Sequence, residues 1–258
     1  MNDTIPRIGC VPYLNSRPLL EGITYPIREL VPAKLGDAFQ AGEFDVALLS
    51  SIDVITSLHS YAVDGISISS QGDVYSVVLA YEGDLRGIKK VVLDPASHTS
   101  NALLRIVLEN FHGVFPEYVQ LSEFEYTEFS ADIPRLLIGD RAINERKRTT
   151  SRNIHFLDLG GEWYHNTSLP FVFALWSLRE SFTKKKETSD LLRSAKLVGL
   201  ARRAEIAARE KDPEFAQHYL TESIRYDLGV QEKAGLALFS EFLIKHKLSE
   251  NNKEIKYL

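Results

Sequence analysis

Short apolar runs alternate with helically spaced apolar positions through the first half of the chain. The runs at residues 7–11, 27–31 and 44–51, the last of which reads FDVALLSS, predict three buried strands. Pro32 favours a helix start between the second and third strands, and Gly42 favours its end. The segments DGISISS and VYSVVLAYEG predict two further strands.

The same pattern restarts near residue 89. KKVVLD, EYVQLSEF and the first part of IPRLLIGDRAINER predict strands, and SNALLRIVLENF predicts a helix. LPFVFALWSLRE predicts a strand that returns across the molecule, and the rest of the chain is expected to be helical. Two successive β-α-β systems indicate an α/β fold with two lobes. We expect lobe 1 to contain residues 1–82 and 176–258, and lobe 2 to contain residues 83–175.

The two-lobed reading predicts where a ligand binds. Ligands of open α/β sheets lie beyond the carboxyl ends of the strands, which places the expected site in a cleft between the lobes. Polar residues follow the predicted strands at these ends. In chain order they are Asn15, Ser16, Arg17, Ser50, Ser51, Ser97, His98, Thr99, Ser100, Asn101, Gly139 and Asp140.

Three of these groups also begin helices, where free N–H groups and the helix dipole favour carboxylates. The alternative is that each residue is an ordinary helix cap. Their convergence on one cleft favours a site. Asp94 fits a structural turn, and His98 fits either a base or an exposed loop residue. Trp163 fits either a cleft wall or the core, and Asp158 reads as a surface or hinge charge.

Composition restricts the class of protein. The chain has 258 residues, 44% hydrophobic and 25% charged, with a net charge of −5, so broad nucleic-acid binding is not expected. No apolar window is long enough to cross a membrane and no secretory signal is visible, so we expect a cytoplasmic protein without a membrane partner. The single cysteine, Cys10, predicts a buried thiol and no internal disulfide.

Several common catalytic motifs are absent from the sequence. It contains no GxxxxGK[ST] loop, no GxGxxG after a strand, no GxSxG elbow and no HExxH. Nucleotide hydrolysis, dinucleotide binding, α/β-hydrolase chemistry and zinc proteolysis are therefore not expected.

Four segments of the chain resemble one enzyme family. IGCVPYLNSRPL resembles the IGxVxYLNxxPL signature that opens the chorismate dehydratases of menaquinone biosynthesis (MqnA-type). DPASHTSNALL resembles their DPxSxTSxxL turn, and LLIGDRA resembles their IGDxA segment. LDLGGEW and LPFVFALW together resemble LGxxWxxxxxLPFVFAxW. The motifs occur in order between residues 8 and 176, about two-thirds of the chain.

The resemblance implies a periplasmic-binding-protein-like fold that has become an enzyme. It implies that chorismate loses water to give 3-[(1-carboxyvinyl)oxy]benzoate, the first committed step of the futalosine route to menaquinone, with no metal or organic cofactor. The related 1,4-dihydroxy-6-naphthoate synthases share the fold, but their equivalent turn has a GxxTT character. The sequence Ser97-His98-Thr99-Ser100 favours the dehydratase.

Under this resemblance Asn15 is the main catalytic candidate, either polarising the leaving hydroxyl or orienting the reacting carboxylate. Arg17 either forms a salt bridge to a substrate carboxylate or points to solvent. No strong base is evident, so a substrate carboxylate is a candidate proton acceptor. The other residues expected to contact the substrate are Ser50, Ser51, Ser76, Ser97, Thr99, Ser100, Gly139 and Asp140.

Two alternatives stay open on sequence grounds. One is the dihydroxynaphthoate synthase, with a larger bicyclic substrate. The other is a non-catalytic solute-binding protein for a small carboxylate, for which an export signal is expected. The sequence does not indicate the oligomeric state.

Overall fold

The computed structural model describes residues 5–57, 59–122, 126, 133–150, 153–250 and 252–258. Within them the strands are β1 (Ile8–Cys10), β2 (Ile27–Glu29), β3 (Val46–Ser50), β4 (Ser60–Ala62), β5 (Ile68–Ser70), β6 (Val77–Glu82), β7 (Lys90–Val92), β8 (Glu117–Val119), β9 (Arg135–Ile138), β10 (Ile154–Asp158) and β11 (Phe171–Arg179). The α-helices are α1 (Pro32–Gln40), α2 (Ser51–Thr56), α3 (His98–Ile106), α4 (Gly139–Arg148), α5 (Leu159–Thr167), α6 (Lys185–Ala201), α7 (Arg203–Ala207), α8 (Pro213–His218) and α9 (Val230–Lys245). Short 3₁₀ or π segments span Leu14–Leu19, Leu85–Gly87, Val107–Phe111 and Tyr219–Ser223.

The first sheet has the strand order β2-β1-β3-β11-β4, and β5 pairs with another stretch of β11. β1 runs parallel to β2 and β3, whereas β11 runs antiparallel to β3, β4 and β5. All residues of β3 are buried, which explains why this strand reads as an unbroken apolar run.

The second sheet has the strand order β10-β6-β9-β7-β8. β7 runs parallel to β8 and β9, and β6 runs antiparallel to β9 and β10. Helix α4 follows β9 directly, and α3 follows β7 after a short turn. The two sheets and their helices confirm the predicted two-lobed α/β fold, and they direct helix N-termini toward the space between the lobes.

The chain crosses between the sheets earlier than the sequence predicted. β6 belongs to the second sheet, although the predicted boundary after residue 82 assigned it to lobe 1. β11 belongs wholly to the first sheet, although the boundary after residue 175 assigned its first half to lobe 2. Both are apolar runs, and an apolar pattern does not specify which sheet a buried strand joins. The crossings lie between β5 and β6 and between α5 and β11.

Helix α5 lies in a segment for which the sequence pattern predicted no helix. Asp158 caps it by accepting hydrogen bonds from the N–H groups of Gly160 and Gly161, each at 3.1 Å. A Cβ at Gly160 would lie 2.6 Å from Ser70 Oγ, so a glycine permits the close approach of this helix to β5. Asp158 is therefore a buried cap and not a surface charge.

Aromatic side chains fill the core beside the return strand. Trp163 is fully buried, with its ring centroid 5.2 Å from that of Phe171 and 6.1 Å from that of Phe239. It is a core residue and not a cleft wall. The chain is also not helical to its end, because Leu258 exchanges backbone hydrogen bonds of 2.9 Å with Ala62 and Asp64.

Candidate active site

A cleft between the two sheets encloses about 560 Å³ of empty space, including its mouth. Its walls are mostly apolar, with amide and hydroxyl groups between the apolar side chains. No Asp, Glu, Lys, Arg or His belongs to the described residues that line it. These residues are Val11, Tyr13, Asn15, Pro32, Leu48, Ser50, Ile68, Val74, Ser76, Val77, Ser97, Thr99, Ser100, Ile138, Gly139, Phe173 and Ala174.

Asn15 enters the cleft from a tight turn after β1. The Ser16 hydroxyl holds this turn, because its Oγ lies 2.9 Å from the carbonyl of Val11 and 2.7 Å from that of Tyr13. The Asn15 carbonyl accepts a hydrogen bond of 3.0 Å from the Tyr226 hydroxyl. Asn15 Oδ1 is buried and has no hydrogen-bond partner among the residues that the structure describes. A buried oxygen without a partner is an open acceptor for a ligand.

Asn15, Ser76 and Tyr219 form what we call the amide cluster. The Tyr219 hydroxyl donates to Ser76 Oγ at 2.8 Å, and the Asn15 side chain lies beside the same hydroxyl. Because Asn15 Oδ1 has no partner, we infer that the Asn15 amide nitrogen faces this hydroxyl. The cluster joins the turn after β1 to the segment that precedes β6.

A constrained backbone places Ser76. The preceding residue, Tyr75, has φ of +68°, a left-handed conformation that is uncommon outside glycine. Asp158 holds this segment by accepting from the N–H groups of Val74 at 2.9 Å and Tyr75 at 2.7 Å. Arg146 lies 3.2 Å from Asp158 and stacks over the Tyr75 ring at 3.8 Å. These contacts fix the position of Ser76 in the segment between β5 and β6, where the chain passes from the first sheet to the second.

Ser50, Asp53, His98 and Thr99 form a second group, which we call the carboxylate cluster. Thr99 Oγ1 accepts from the N–H of Ile52 and donates to Ser50 Oγ, both at 3.0 Å. Ser50 Oγ donates to Asp53 Oδ2 at 2.6 Å, and His98 Nδ1 lies 3.5 Å from Asp53 Oδ1. The hydrogen bond to Asp53 raises the pKa of His98 above its usual 6.5. The cluster links α2 of one lobe to α3 of the other.

The carboxylate cluster directs its hydroxyl hydrogens away from the cleft. A carboxylate only accepts, so Ser50 donates to Asp53 and accepts from Thr99. Ser50 and Thr99 therefore present lone pairs to a ligand, and lone pairs repel a carboxylate. This arrangement disagrees with the prediction that these two hydroxyls hold substrate carboxylates.

Ser97 and Ser100 stand at the start of α3. Ser97 caps this helix by accepting from the Ser100 N–H at 3.1 Å, and it donates to Ser100 Oγ at 3.0 Å. The structure gives the Ser100 hydroxyl hydrogen no acceptor among the described residues. Together with the phenol of Tyr13, Ser100 and Ser76 are thus the hydroxyl donors that the lining offers to a ligand.

Gly139 and Asp140 begin α4 and contact the turn that carries Asn15. Gly139 has φ of +59°, and a Cβ there would lie 2.7 Å from the ring of Tyr13. Asp140 Oδ1 accepts from the Leu14 N–H at 3.2 Å, and burial raises the pKa of Asp140. Gly139 lines the cleft, whereas Asp140 does not. Asp140 supports the Asn15 turn instead of contacting a ligand, which corrects its predicted role.

Arg17 and Ser51 also lie outside the cleft. Arg17 forms a 2.7 Å salt bridge with Glu29 and keeps 42% of its side chain exposed, because the short helix turns it toward the surface. Ser51 is fully buried and donates to the carbonyl of Val172 at 2.5 Å, which ties α2 to β11. Arg17 thus points to solvent, the second of its two predicted positions, whereas Ser51 does not have its predicted position on the cleft wall.

Cys10 is buried in β1, as predicted. Burial raises its pKa to about 12, so the thiol is protonated at neutral pH. Within the described residues, no three His, Cys, Asp or Glu side chains group in a way that could hold a metal ion. No helix in this part of the chain is long and apolar enough to cross a membrane.

Tyr219 and Asp53 are the members of the amide and carboxylate clusters that the sequence did not indicate. Phe215, Tyr219 and Leu220 share a helical spacing that reads as a core face. The signal in the sequence was the phenol of Tyr219, because a buried tyrosine hydroxyl usually has a hydrogen-bond partner. Asp53, three residues after Ser50, fits the first turn of a helix and gives no sign that it faces a second lobe.

Comparison with known proteins gives consistent results along nearly the whole chain. Residues 6–245 match the model of a family described as menaquinone biosynthesis. A chorismate dehydratase from Thermus thermophilus is 33% identical over 260 residues, which cover 92% of this chain and 94% of the relative. A chorismate dehydratase from Campylobacter jejuni is 25% identical over 234 residues and 88% of each chain.

Solved structures share the architecture at low sequence identity. A structural-genomics protein from Archaeoglobus fulgidus has a TM-score of 0.73 at 17% identity, covering 96% of this chain and all of its own. The periplasmic aliphatic sulphonate binding protein of Escherichia coli has a TM-score of 0.64 at 12% identity, covering 98% of this chain and 93% of its own. A Candida albicans protein described as having the generic periplasmic binding protein fold has a TM-score of 0.62 at 11% identity and 98% coverage of both. These similarities show a periplasmic-binding-protein fold.

Proposed function

Because the chain belongs to the menaquinone biosynthesis family, we propose that it is a chorismate dehydratase of the futalosine route. It is a hydro-lyase that converts chorismate to 3-[(1-carboxyvinyl)oxy]benzoate and water. The observation that carries this proposal is the 33% identity with the Thermus thermophilus chorismate dehydratase over nearly all of both chains. A cytoplasmic location and independence of cofactors stay predictions from the sequence.

The chemistry of this reaction suits an uncharged cleft. One ring C–O bond and one ring C–H bond break, and the new double bond completes an aromatic ring. The hydroxyl and the proton leave together as water, so no oxidant or reductant is needed. Aromatisation supplies the driving force, and the protein has to position the substrate, exclude water and stabilise shifting charge. Amides and hydroxyls between apolar walls serve these tasks.

Asn15 is the catalytic residue in this proposal. Its Oδ1 atom is an acceptor without a partner, so it accepts from the leaving hydroxyl and orients that group, whereas it would repel a carboxylate. Ser100, as a hydroxyl donor at the start of α3, suits a substrate carboxylate.

In this proposal a substrate carboxylate accepts the ring proton and passes it to the departing hydroxyl, so that water leaves and the carboxylate is regenerated. The support is the lining itself, whose described residues include no carboxylate or imidazole. Tyr13 lines the cleft, but burial and the nearby Asp94 and Asp140 raise the pKa of its hydroxyl, so it is a poor base.

The test is to incubate the purified protein with chorismate and to follow products by mass spectrometry. We expect loss of one water and the appearance of the aromatic dicarboxylate. Binding of chorismate without turnover would favour a solute-binding protein. Neither binding nor turnover would favour the dihydroxynaphthoate synthase. A chorismate analogue without the side-chain carboxylate tests the proton acceptor, and normal turnover of this analogue would contradict the assignment.

A further inference from the structure

We propose that Tyr219 is a positioning residue that sets the hydrogen-bond direction of the amide cluster, so that Asn15 accepts and Ser76 donates at the leaving hydroxyl. This inference deepens the dehydratase proposal and rests on it. It assigns a role in the site to a tyrosine from the C-terminal half of the chain, which does not itself line the cleft.

The position of Tyr219 allows its hydroxyl few arrangements. The residue is 1% exposed and begins the segment Tyr219–Ser223. Its ring stacks on Phe215, with centroids 5.8 Å apart and planes 12° from parallel. The hydroxyl then meets two side chains, Ser76 at 2.8 Å and the Asn15 amide. A phenol has one hydrogen to donate, so it donates to one of them and accepts from the other.

The direction of these bonds follows from the atom that lacks a partner. In the proposed arrangement the Tyr219 hydrogen points to Ser76, and the Tyr219 oxygen accepts from Asn15 Nδ2, which lies beside it. An amide that turns its nitrogen to Tyr219 must turn its oxygen away, and Asn15 Oδ1 is the buried atom without a partner. Ser76 accepts from Tyr219, so its own hydrogen is available to the cleft. Tyr219 thus produces an acceptor and a donor side by side.

This pair fits one class of substrate group. A hydroxyl can accept from Ser76 and donate to Asn15 Oδ1, which closes a ring of hydrogen bonds through Tyr219, Ser76, the substrate oxygen and the Asn15 amide. A carboxylate cannot donate, so it leaves Oδ1 without a partner. The Ser76 bond to the departing oxygen strengthens as the C–O bond lengthens and negative charge grows.

The tyrosine holds this direction over a wide pH range. Burial raises the pKa of Tyr219 above its usual value, so the hydroxyl keeps its hydrogen at any pH at which the protein is assayed. It orients its neighbours and donates no proton to the products.

Tyr219→Phe tests the role by removing one oxygen from a buried ring. We expect kcat on chorismate to fall about tenfold, the scale of one oriented hydrogen bond, with a smaller change in KM. Tyr226→Phe is the matched control, since Tyr226 is 3% exposed and its hydroxyl donates to the Asn15 carbonyl, not to the amide. Tyr226→Phe should lower the urea midpoint about as much as Tyr219→Phe does, and it should lower kcat by a smaller factor.

A double-mutant cycle tests whether Tyr219 acts through its two neighbours. In the background Asn15→Ala, Ser76→Ala, the further change Tyr219→Phe should leave the residual kcat unaltered. The proposal is overturned if Tyr219→Phe turns over chorismate like the wild type, if Tyr226→Phe loses as much kcat, or if the cycle is additive.

A measurement on the wild-type protein tests the direction of the Asn15 amide without any variant, so it remains possible if a variant does not fold. With ¹⁵N-labelled asparagine, the Nδ2 protons of Asn15 should be protected from solvent exchange and show contacts to the Tyr219 ring. Freely exchanging Nδ2 protons would mean that the amide nitrogen faces the cleft, and the proposal would be wrong. This result stands even if the wild type fails to dehydrate chorismate, which would instead contradict the proposed function.

Discussion

The amide cluster and the carboxylate cluster face the same cleft but use their hydrogen bonds differently. The carboxylate cluster uses its hydroxyl hydrogens within the cluster and away from the cleft, from Thr99 to Ser50 and from Ser50 to Asp53. The amide cluster leaves one buried oxygen, Asn15 Oδ1, without a partner. A cluster whose hydrogen bonds are all made internally is rigid, whereas a buried acceptor without a partner can accept a hydrogen bond from a ligand. We therefore assign the chemistry to the amide cluster and the joining of the lobes to the carboxylate cluster.

Asn15→Ala is expected to have the largest effect on turnover. It removes the acceptor that orients the leaving hydroxyl, and a misplaced reacting group costs about 10²-fold in kcat. Stability should change by only about 1 kcal/mol, because Tyr219 keeps its bond to Ser76. Steady-state kinetics and urea unfolding measure the two quantities. Full turnover by the variant would remove Asn15 from the mechanism.

Asp53→Ala is expected to have an intermediate effect of a different kind. It removes the buried acceptor of Ser50 and the partner of His98, so we expect a loss of about 1–3 kcal/mol in stability and a rise in KM larger than the fall in kcat. Asp53→Asn is the matched control, because it keeps an acceptor for Ser50 without the charge, and its KM should lie nearer the wild type. A fall in kcat as large as that of Asn15→Ala would erase the distinction between the clusters.

The pH dependence of the His98 contact is expected to be the smallest effect. Because Asp53 raises the folded-state pKa of His98, the contact stabilises fully below the unfolded value of 6.5 and is lost as pH rises through the folded value. Asp37 adds to the same shift. The urea midpoints of wild type and His98→Gln should differ more at about pH 6 than at about pH 9. The side chain is 46% exposed, so the difference is small.

Asp53→Asn gives the control for this titration. Without the Asp53 carboxylate, the His98→Gln substitution should change the urea midpoint nearly equally at both pH values, because only the smaller contribution of Asp37 to the His98 pKa remains. A pH-dependent difference that Asp53→Asn leaves undiminished would assign the titration to another group.

The sequence predicted the two lobes and the polar ends of the strands because both depend on local patterns. Asn15 follows an apolar strand directly, and Ser97, Thr99 and Ser100 begin a helix after one. The motifs also identified the family, which the comparisons confirm.

Features that depend on contacts distant in sequence were not predictable in this way. Arg17 looked like a cleft residue until Glu29, twelve positions later, proved to be its partner. Asp158 looked like a surface charge, but its partners Val74 and Tyr75 lie more than eighty positions away. Tyr219 reaches Ser76 across 143 positions. No periodicity encodes such pairs, since each depends on how separate elements pack in the folded chain.

The hydrogen bonds that join the lobes also bear on the kinetics of a turnover. Thr99 bonds to α2 on one side of the cleft, Asp140 bonds to Leu14 on another, and the Ala33 N–H donates to the Ala96 carbonyl at 2.9 Å. Any parting of the lobes that admits substrate or frees product breaks these bonds together. Domain motions of this kind take microseconds to milliseconds and often limit kcat through product release. Where release is the slow step, the first turnover is faster than those that follow, and a rapid-quench experiment shows a burst of aromatic product.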